Sequence, residues 1–168
     1  MQDIFAAGTE TTATTIEWAM AEILKNPAVL EKAQAEVGRV LKGKKNISEE
    51  DIHELHYLKL VVKETLRNPK HWDDPNCFKP ERFLHSSISY IGTNFEYLPF
   101  GAGRRMCPGI SFGVATIELQ LALLLYRFDW KLSDGIKPEE LDMTKAFGFT
   151  VKKKHVLSVV AIPASISL

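Results

Sequence analysis

The sequence predicts a mainly α fold with a small β component, and three observations carry that prediction. Apolar residues recur at helical spacing through most of the stretch from residue 3 to 67. A long apolar run, Ile110 to Tyr126, follows a proline- and glycine-rich segment. Beyond it the chain alternates apolar and polar residues in short stretches, the period of strands.

Residues 3 to 24 read as the first helix, with Ile4, Phe5, Ile16, Trp18, Met20, Ile23 and Leu24 as its apolar members. Asn26-Pro27 ends it and opens the next, since proline suits a first helical turn. From Ala28 to Leu41 the residues Leu30, Ala33, Val37, Val40 and Leu41 share a face, and Gly43 closes the helix before the basic turn Lys42 to Lys45. Ser48 is an N-cap for a short acidic helix, Glu49 to Leu55. Leu58 to Arg67 forms a further helix with Leu58, Val61, Val62 and Leu66 inward. Residues 68 to 109 then lack a period and hold many prolines and glycines, a length of irregular chain that is usually functional. The run 110 to 126 carries Glu118 and Gln120 and falls short of the roughly 20 residues of a membrane span, so it reads as a buried helix needing cover on every side. Strands are expected at 128–132, 146–151 and 155–162, with Lys152-Lys153-Lys154 as a hairpin turn.

The chain has 168 residues, 45% hydrophobic and 25% charged, and its 21 basic side chains balance 21 acidic ones. That balance gives no reason to expect nucleic acid as a partner. Cys77 and Cys107 form no CxxC pair, which argues against a structural zinc site and a disulfide scaffold. The opening MQDIFAAGTE holds neither a basic segment nor a long apolar run, so no leader and no membrane anchor is expected in it.

The most informative segment is Phe100-Gly101-Ala102-Gly103-Arg104-Arg105-Met106-Cys107-Pro108-Gly109. Gly101 and Gly103 allow backbone conformations closed to other residues and let a flat ligand approach. Cys107 lies just before a long helix, where backbone N–H groups and the helix dipole favour an anion, and Pro108 suits the first helical position. A cysteine so placed is expected as a thiolate, the soft ligand that haem iron accepts. The bland alternative is a glycine-rich turn around an inert cysteine.

A second departure from local rules lies in Ala7-Gly8-Thr9-Glu10-Thr11-Thr12. Gly8 costs about 1 kcal/mol relative to alanine inside a helix. The threonines from Thr9 to Thr15 can bond back to the preceding turn and invite a bend. By itself such a stretch is as often a packed face. Glu64 and Arg67 stand at i and i+3, a spacing usually belonging to a solvated pair, and Pro80-Glu81-Arg82-Phe83 follows. His53 and His56 share a face but have no third ligand, and Cys77 matches no motif.

Taken together these segments resemble the cytochrome P-450 family. The pattern F-x-x-G-x-R-x-C-x-G is matched by Phe100, Gly103, Arg105, Cys107 and Gly109. The resemblance implies that Cys107 is the axial ligand of haem iron and that Arg105 pairs with a haem propionate. It places Phe100 near the thiolate and Gly109 at the start of the helix behind the haem. Ala7 to Thr11 resembles the motif on the oxygen-side helix, where the family's helix opens into a groove; Thr11 would supply a hydroxyl and Glu10 an acid for proton delivery. Glu64, Arg67 and Arg82 resemble the ExxR and PERF elements, whose role is structural support of the cysteine loop. The stretch His71-Trp72-Asp73-Asp74-Pro75 also matches the family just upstream.

The resemblance reaches nearly the whole chain and is nearest to plant microsomal members. It implies a single partial domain over 1–168, the incomplete C-terminal haem-binding part of the fold: oxygen-side helix 1–25, ExxR helix 57–67, meander and cysteine loop 68–109, backing helix 110–126 and terminal strands 128–162. It implies a monooxygenase using haem b, dioxygen and electrons from an NADPH-dependent flavoprotein reductase to hydroxylate a small lipophilic substrate. Family members typically sit on the cytosolic face of the endoplasmic reticulum membrane. One departure stands out. Arg67 runs directly into Asn68, where the family carries several tens of further residues, so a catalytically inactive remnant is the competing expectation.

Overall fold

The computed structural model of the chain describes residues 2–44, 46–90, 92–148 and 150–164, with side chains from residue 7 onward. Helix α1 spans Gln2–Lys25 and α2 spans Pro27–Leu41. They meet at Asn26, whose amide donates to the Glu22 carbonyl at 2.8 Å, while Pro27 begins α2 at a position where no intrahelical N–H is needed. Gly43, at φ +71°, ends α2 in the left-handed conformation that a helix terminus often needs. Helix α3, Glu49–His53, is held by a capping box in which Ser48 Oγ accepts from the Asp51 amide and Asp51 accepts from the Ser48 amide. Helix α4 covers His56–Thr65 and α5 covers Ile110–Arg127.

Four helices build one core. Ile23 of α1, Val37 of α2, Leu58 and Val62 of α4, and Leu121 and Ala122 of α5 are all fully buried in a single cluster. Helix α5 packs on α1, α2 and α4. It is long and apolar enough to cross a membrane by length and composition alone. Its packing makes it a core helix, though only on one side: Ile117, Leu121 and Leu125 are buried, while Phe112 is 80% exposed.

Between α4 and α5 the chain forms short 3-10 turns at Pro69–His71, Pro80–Phe83 and Gly103–Arg105, joined by irregular backbone as the sequence leads one to expect. The tail departs from expectation in its pairing. Strand β1, Phe128–Leu132, pairs antiparallel with β4, Val159–Pro163, with Trp130 opposite Ala161. Strand β2, Lys145–Ala146, pairs with β3, Lys152–Lys153. Lys152 and Lys153 are therefore strand and not turn, and among the described residues of the strand expected at 146–151 only Ala146 is one. The reason is visible at Lys153. Its ammonium lies over the Trp18 ring, 5.1 Å from the centroid, and donates to the Asp142 carbonyl, so the residue is buried although its type suggests a solvated turn. Of the residues read from sequence, the side chains of Ile4 and Phe5, and Lys45 and Phe149 entirely, lie outside those described.

Candidate active site

The cysteine loop is closed by its own backbone. The Cys107 amide donates to the Phe100 carbonyl at 2.9 Å, and the Met106 amide to Gly103 at 3.2 Å. Gly101 and Gly103 sit at φ +73° and +65°, the left-handed region, so both glycines are required by the path of the chain. A Cβ at either would meet nothing within 4 Å, so the loop presents an open face. Cys107 is a free, exposed thiol, and Gly109 lies close enough that a Cβ there would stand 3.8 Å from its sulfur. Arg104 and Arg105 are both exposed. Helix α5 begins at Ile110 with Gly109 as its N-cap, so Pro108 belongs to the turn before the helix and not to its first position. The cysteine still stands just ahead of the helix N-terminus.

Sequence reasoning did not single out Gly92. At φ +75°, its missing side chain makes room for the cysteine loop: a Cβ would meet the Gly101 carbonyl oxygen at 2.8 Å and Ala102 at 3.1 Å. A glycine isolated in polar chain was the available signal, and it does not announce a partner so close.

Glu64, Arg67 and Arg82, separated in sequence, are brought together. Arg67 Nε donates to Glu64 Oε1 at 3.0 Å, and Arg82 Nε stands 2.9 Å from Oε2 as an ion pair without an aligned hydrogen bond. The Lys79 amide also donates to Oε1, at 3.1 Å. The Glu64 side chain is fully buried. Burial pushes its carboxyl up, against the opposing pull of the Lys79 amide and the two guanidiniums. Both arginines also donate to carbonyls of the meander. Arg67 Nη2 reaches the Pro75 and Cys77 carbonyls, and Arg82 reaches those of Asp73 and Cys77. Two guanidiniums thus hold the Cys77 carbonyl in one place.

An aromatic path continues from this network to the cysteine loop. Trp72 lies 4.9 Å from Phe83, with the Arg82 guanidinium 5.9 Å from its ring. Phe83 meets Tyr97 at 5.4 Å, Tyr97 meets Tyr90 at 5.9 Å, and Tyr90 meets Phe100 edge-on at 5.8 Å. Tyr97, another residue that sequence reasoning missed, is fully buried and donates to the Lys63 carbonyl of α4.

The threonine stretch behaves differently from expectation. Helix α1 runs unbroken through Gly8 to Thr15. The Thr11 hydroxyl turns back to the Ala7 carbonyl at 2.6 Å, and Thr15 to Thr11 at 2.9 Å, so hydroxyl back-bonding is accommodated without opening the helix. Glu10 is tied to the tail. Lys152 Nζ stands 2.9 Å from its carboxylate and Thr150 donates at 3.0 Å. The hydrogen bond from Lys152, then that from Thr150, holds the carboxyl below its ordinary range. Glu10 is thus ionised at neutral pH. Thr11 lines an open cleft of about 700 Å3 that runs along α1 to the end of α4; Cys107 does not line it.

A free thiol, an open glycine-lined face and exposed arginines beside it form a donor set that fits a haem ligated by sulfur. The comparisons agree. A family model described as Cytochrome P450 matches residues 1–68 and 66–158. The chain belongs to the cytochrome P450 family. It is 50% identical over 197 positions to the desmethyl-deoxy-podophyllotoxin synthase of Sinopodophyllum hexandrum, covering 94% of this chain and 39% of that protein. It is 47% identical over 200 positions to the premnaspirodiene oxygenase of Hyoscyamus muticus, covering 96% and 40%, and 47% identical over 190 positions to the salviol synthase of Salvia pomifera, covering 90% and 38%. By this resemblance the chain is similar to plant members of the family.

The chain spans about two fifths of the length of these relatives. The first alignment runs over 197 positions against a chain of 168 residues, which leaves at least 29 positions that the chain does not fill. The family model breaks into two pieces that meet at residues 66–68, the seam of Arg67 and Asn68.

Proposed function

We propose that the protein from which this chain comes is a haem-thiolate monooxygenase that hydroxylates a small lipophilic molecule, and that this chain holds its cysteine-ligand half. The single observation that carries the reading is Cys107, free and exposed at the end of a loop wound by two left-handed glycines. Cys107 would ligate the iron of haem b through its thiolate, and Arg105 would pair with a propionate. Gly103 and Gly109 give the ring room beside the sulfur, and Phe100 packs under the loop. When bound, the haem supplies the binding and reduction of dioxygen; the protein's part is to position it and tune it.

Glu64, Arg67 and Arg82 support the loop from behind, since they fix the meander whose aromatic side chains pack up to Phe100. Thr11 offers a hydroxyl on the other side, and Glu10, held ionised by Lys152, shuttles a proton by first taking it up. Electrons come from an NADPH-dependent flavoprotein reductase, and the whole protein sits, as family members typically do, on the cytosolic face of the endoplasmic reticulum membrane. Arg104 and Arg105 belong to a basic face that suits an acidic donor.

The second reading is a catalytically inactive remnant, favoured by the positions left unfilled at the seam of Arg67 and Asn68. A reduced, carbon monoxide difference spectrum of the purified chain mixed with haem separates the two. A red-shifted Soret band, lost in Cys107→Ala, is the expected result. A spectrum without that band in the intact chain leaves the remnant as the better description.

A further inference from the structure

Helix α4 sends two neighbouring side chains to different parts of the loop region. Glu64 and its two arginines fix the meander between Asp73 and Lys79, which reaches the cysteine loop through a series of rings. Lys63 stands one position earlier, about 100° round the helix, and points elsewhere. Its Nζ donates to the Ile88 carbonyl at 2.8 Å and lies 5.9 Å from the centre of the Phe83 ring. Its own carbonyl accepts from the buried Tyr97 hydroxyl at 3.1 Å. Lys63 thus ties α4 to the chain at Ile88 and again at Tyr97.

The chain just beyond Ile88 is the direct neighbour of the cysteine loop. Tyr90 stands edge-on to Phe100 at 5.8 Å, and a Cβ on Gly92 would meet the Gly101 carbonyl oxygen at 2.8 Å. The Phe100 carbonyl in turn accepts from the Cys107 amide. Charge holds the lysine as well. A half-buried ammonium gives up water and needs something in its place. Burial lowers the pKa of the Lys63 ammonium, and the charge that opposes this is the Glu118 carboxylate of α5. Glu118 is buried too, and its carboxyl is pushed up first by that burial, against the charges of Lys59, His53 and Lys63. Lys59 is already turned to His53, whose carbonyl it meets at 3.1 Å. A hydrogen-bond acceptor, a ring face and a counter-charge mark Lys63 as a cation kept in one place and not as a solvated lysine. Glutamine could bond the Ile88 carbonyl, yet it would neither answer Glu118 nor face Phe83 as a cation.

We propose that Lys63 is a positioning residue for Cys107: its ammonium, with Glu118 as counter-charge, pins the chain around Ile88 and Tyr90 against the cysteine loop and so fixes where the sulfur stands. The consequence for iron rests on the reading of Cys107 as its ligand; the contact itself needs no haem.

The test reads single amides of the full chain, without haem, by hydrogen exchange and NMR. The Cys107 amide, bonded to Phe100, reports on the loop, and the amides of Val37 and Leu121 report on the core. Lys63→Met keeps the stem and removes the charge and the donors. It is expected to speed exchange at Cys107 by about tenfold while the core amides stay as they are. Lys63→Arg restores charge and donors and is expected to stay within about twofold of the unaltered chain. Three results overturn the proposal: an unchanged Cys107 amide in folded Lys63→Met, an equal rise at core and loop, or a Lys63→Arg that behaves as Lys63→Met does. If Lys63→Met does not fold, Glu118→Gln decides, since it keeps the shape and removes the counter-charge. The Cys107 amide must then speed by about threefold, with the core unmoved, or the proposal fails. In the haem-loaded chain the carbon monoxide band should weaken in Lys63→Met and return in Lys63→Arg; an undiminished band in Lys63→Met overturns the proposal as well. A band missing even from the unaltered chain speaks against the ligand reading alone, and the Cys107 amide still decides this one.

Discussion

Glu64 is the residue on which most of the meander depends, because its single carboxylate faces two guanidiniums and a backbone amide within 3.1 Å. An ion pair of this kind adds little net stability when formed, since burial offsets the attraction, but losing one partner strands the others. Glu64→Ala leaves Arg67 and Arg82 buried and unpaired. A loss of about 3–5 kcal/mol is expected, read as a lowered urea midpoint. A midpoint within error of the unaltered chain would show that water already satisfies the guanidiniums. Gly92 makes a different demand. Its backbone is left-handed, and a Cβ added there would meet the Gly101 carbonyl oxygen at 2.8 Å. Gly92→Ala combines a strain of about 1–2 kcal/mol with a clash against backbone that has no flexible end to move. The cysteine loop must shift, so the carbon monoxide band of the haem-loaded chain should weaken while far-ultraviolet circular dichroism is kept. An undiminished band would mean that the contact does not set the position of Cys107.

At the level of elements, the helices and the first strand were legible and the rest of the tail was not. The bounds of α2, the Ser48 cap and the Asn26-Pro27 break follow from local chemistry, and local chemistry is printed in the sequence. Helix α4 ends at Thr65, so Arg67 leaves the helix to bond carbonyls of the meander, a choice that depends on residues ten positions away. The strand at 128–132 was read with the bounds of β1, but the lysine hairpin was misread, because β1 finds its partner across the whole tail and because Lys152 and Lys153 look solvated until Glu10, Trp18 and Asp142 are placed around them. The cysteine loop was legible from its glycines; the aromatic path through Tyr97 was not, since ring packing between loops leaves no period. The Glu10 link to the tail has a pH dependence. Its carboxyl pKa is depressed on folding, so the contribution is present above the ordinary carboxylate value of 4.5 and is lost as pH falls below it through the folded value. Hydrogen exchange near Thr150 to Lys153 should therefore rise on acidification in the unaltered chain, and should be fast at neutral pH in Glu10→Gln. If the variant exchanges as slowly as the unaltered chain at neutral pH, the carboxylate does not fasten the tail.

Across the whole molecule, the core is closed where α1, α2, α4 and α5 meet and open along the first turns of α5. That asymmetry separates two kinds of apolar residue on one helix. Leu121 is fully buried among the four helices, whereas Phe112 is 80% exposed three turns or so earlier on α5. Leu121→Ala removes packed methyl groups and leaves a cavity, an expected cost of about 2–5 kcal/mol. Phe112→Ser removes a ring that contributes little to the isolated chain, so its unfolding midpoint should hardly move. What should change is association. Phe112, Phe95 and Phe147 each expose most of their surface, and large exposed apolar groups promote contact with other chains when they cluster. Light scattering as a function of concentration should fall for Phe112→Ser and not for Leu121→Ala, which raises it by populating unfolded chains. Equal scattering by the unaltered chain and Phe112→Ser would place the sticky surface elsewhere, and Phe95 and Phe147 would be the next to alter.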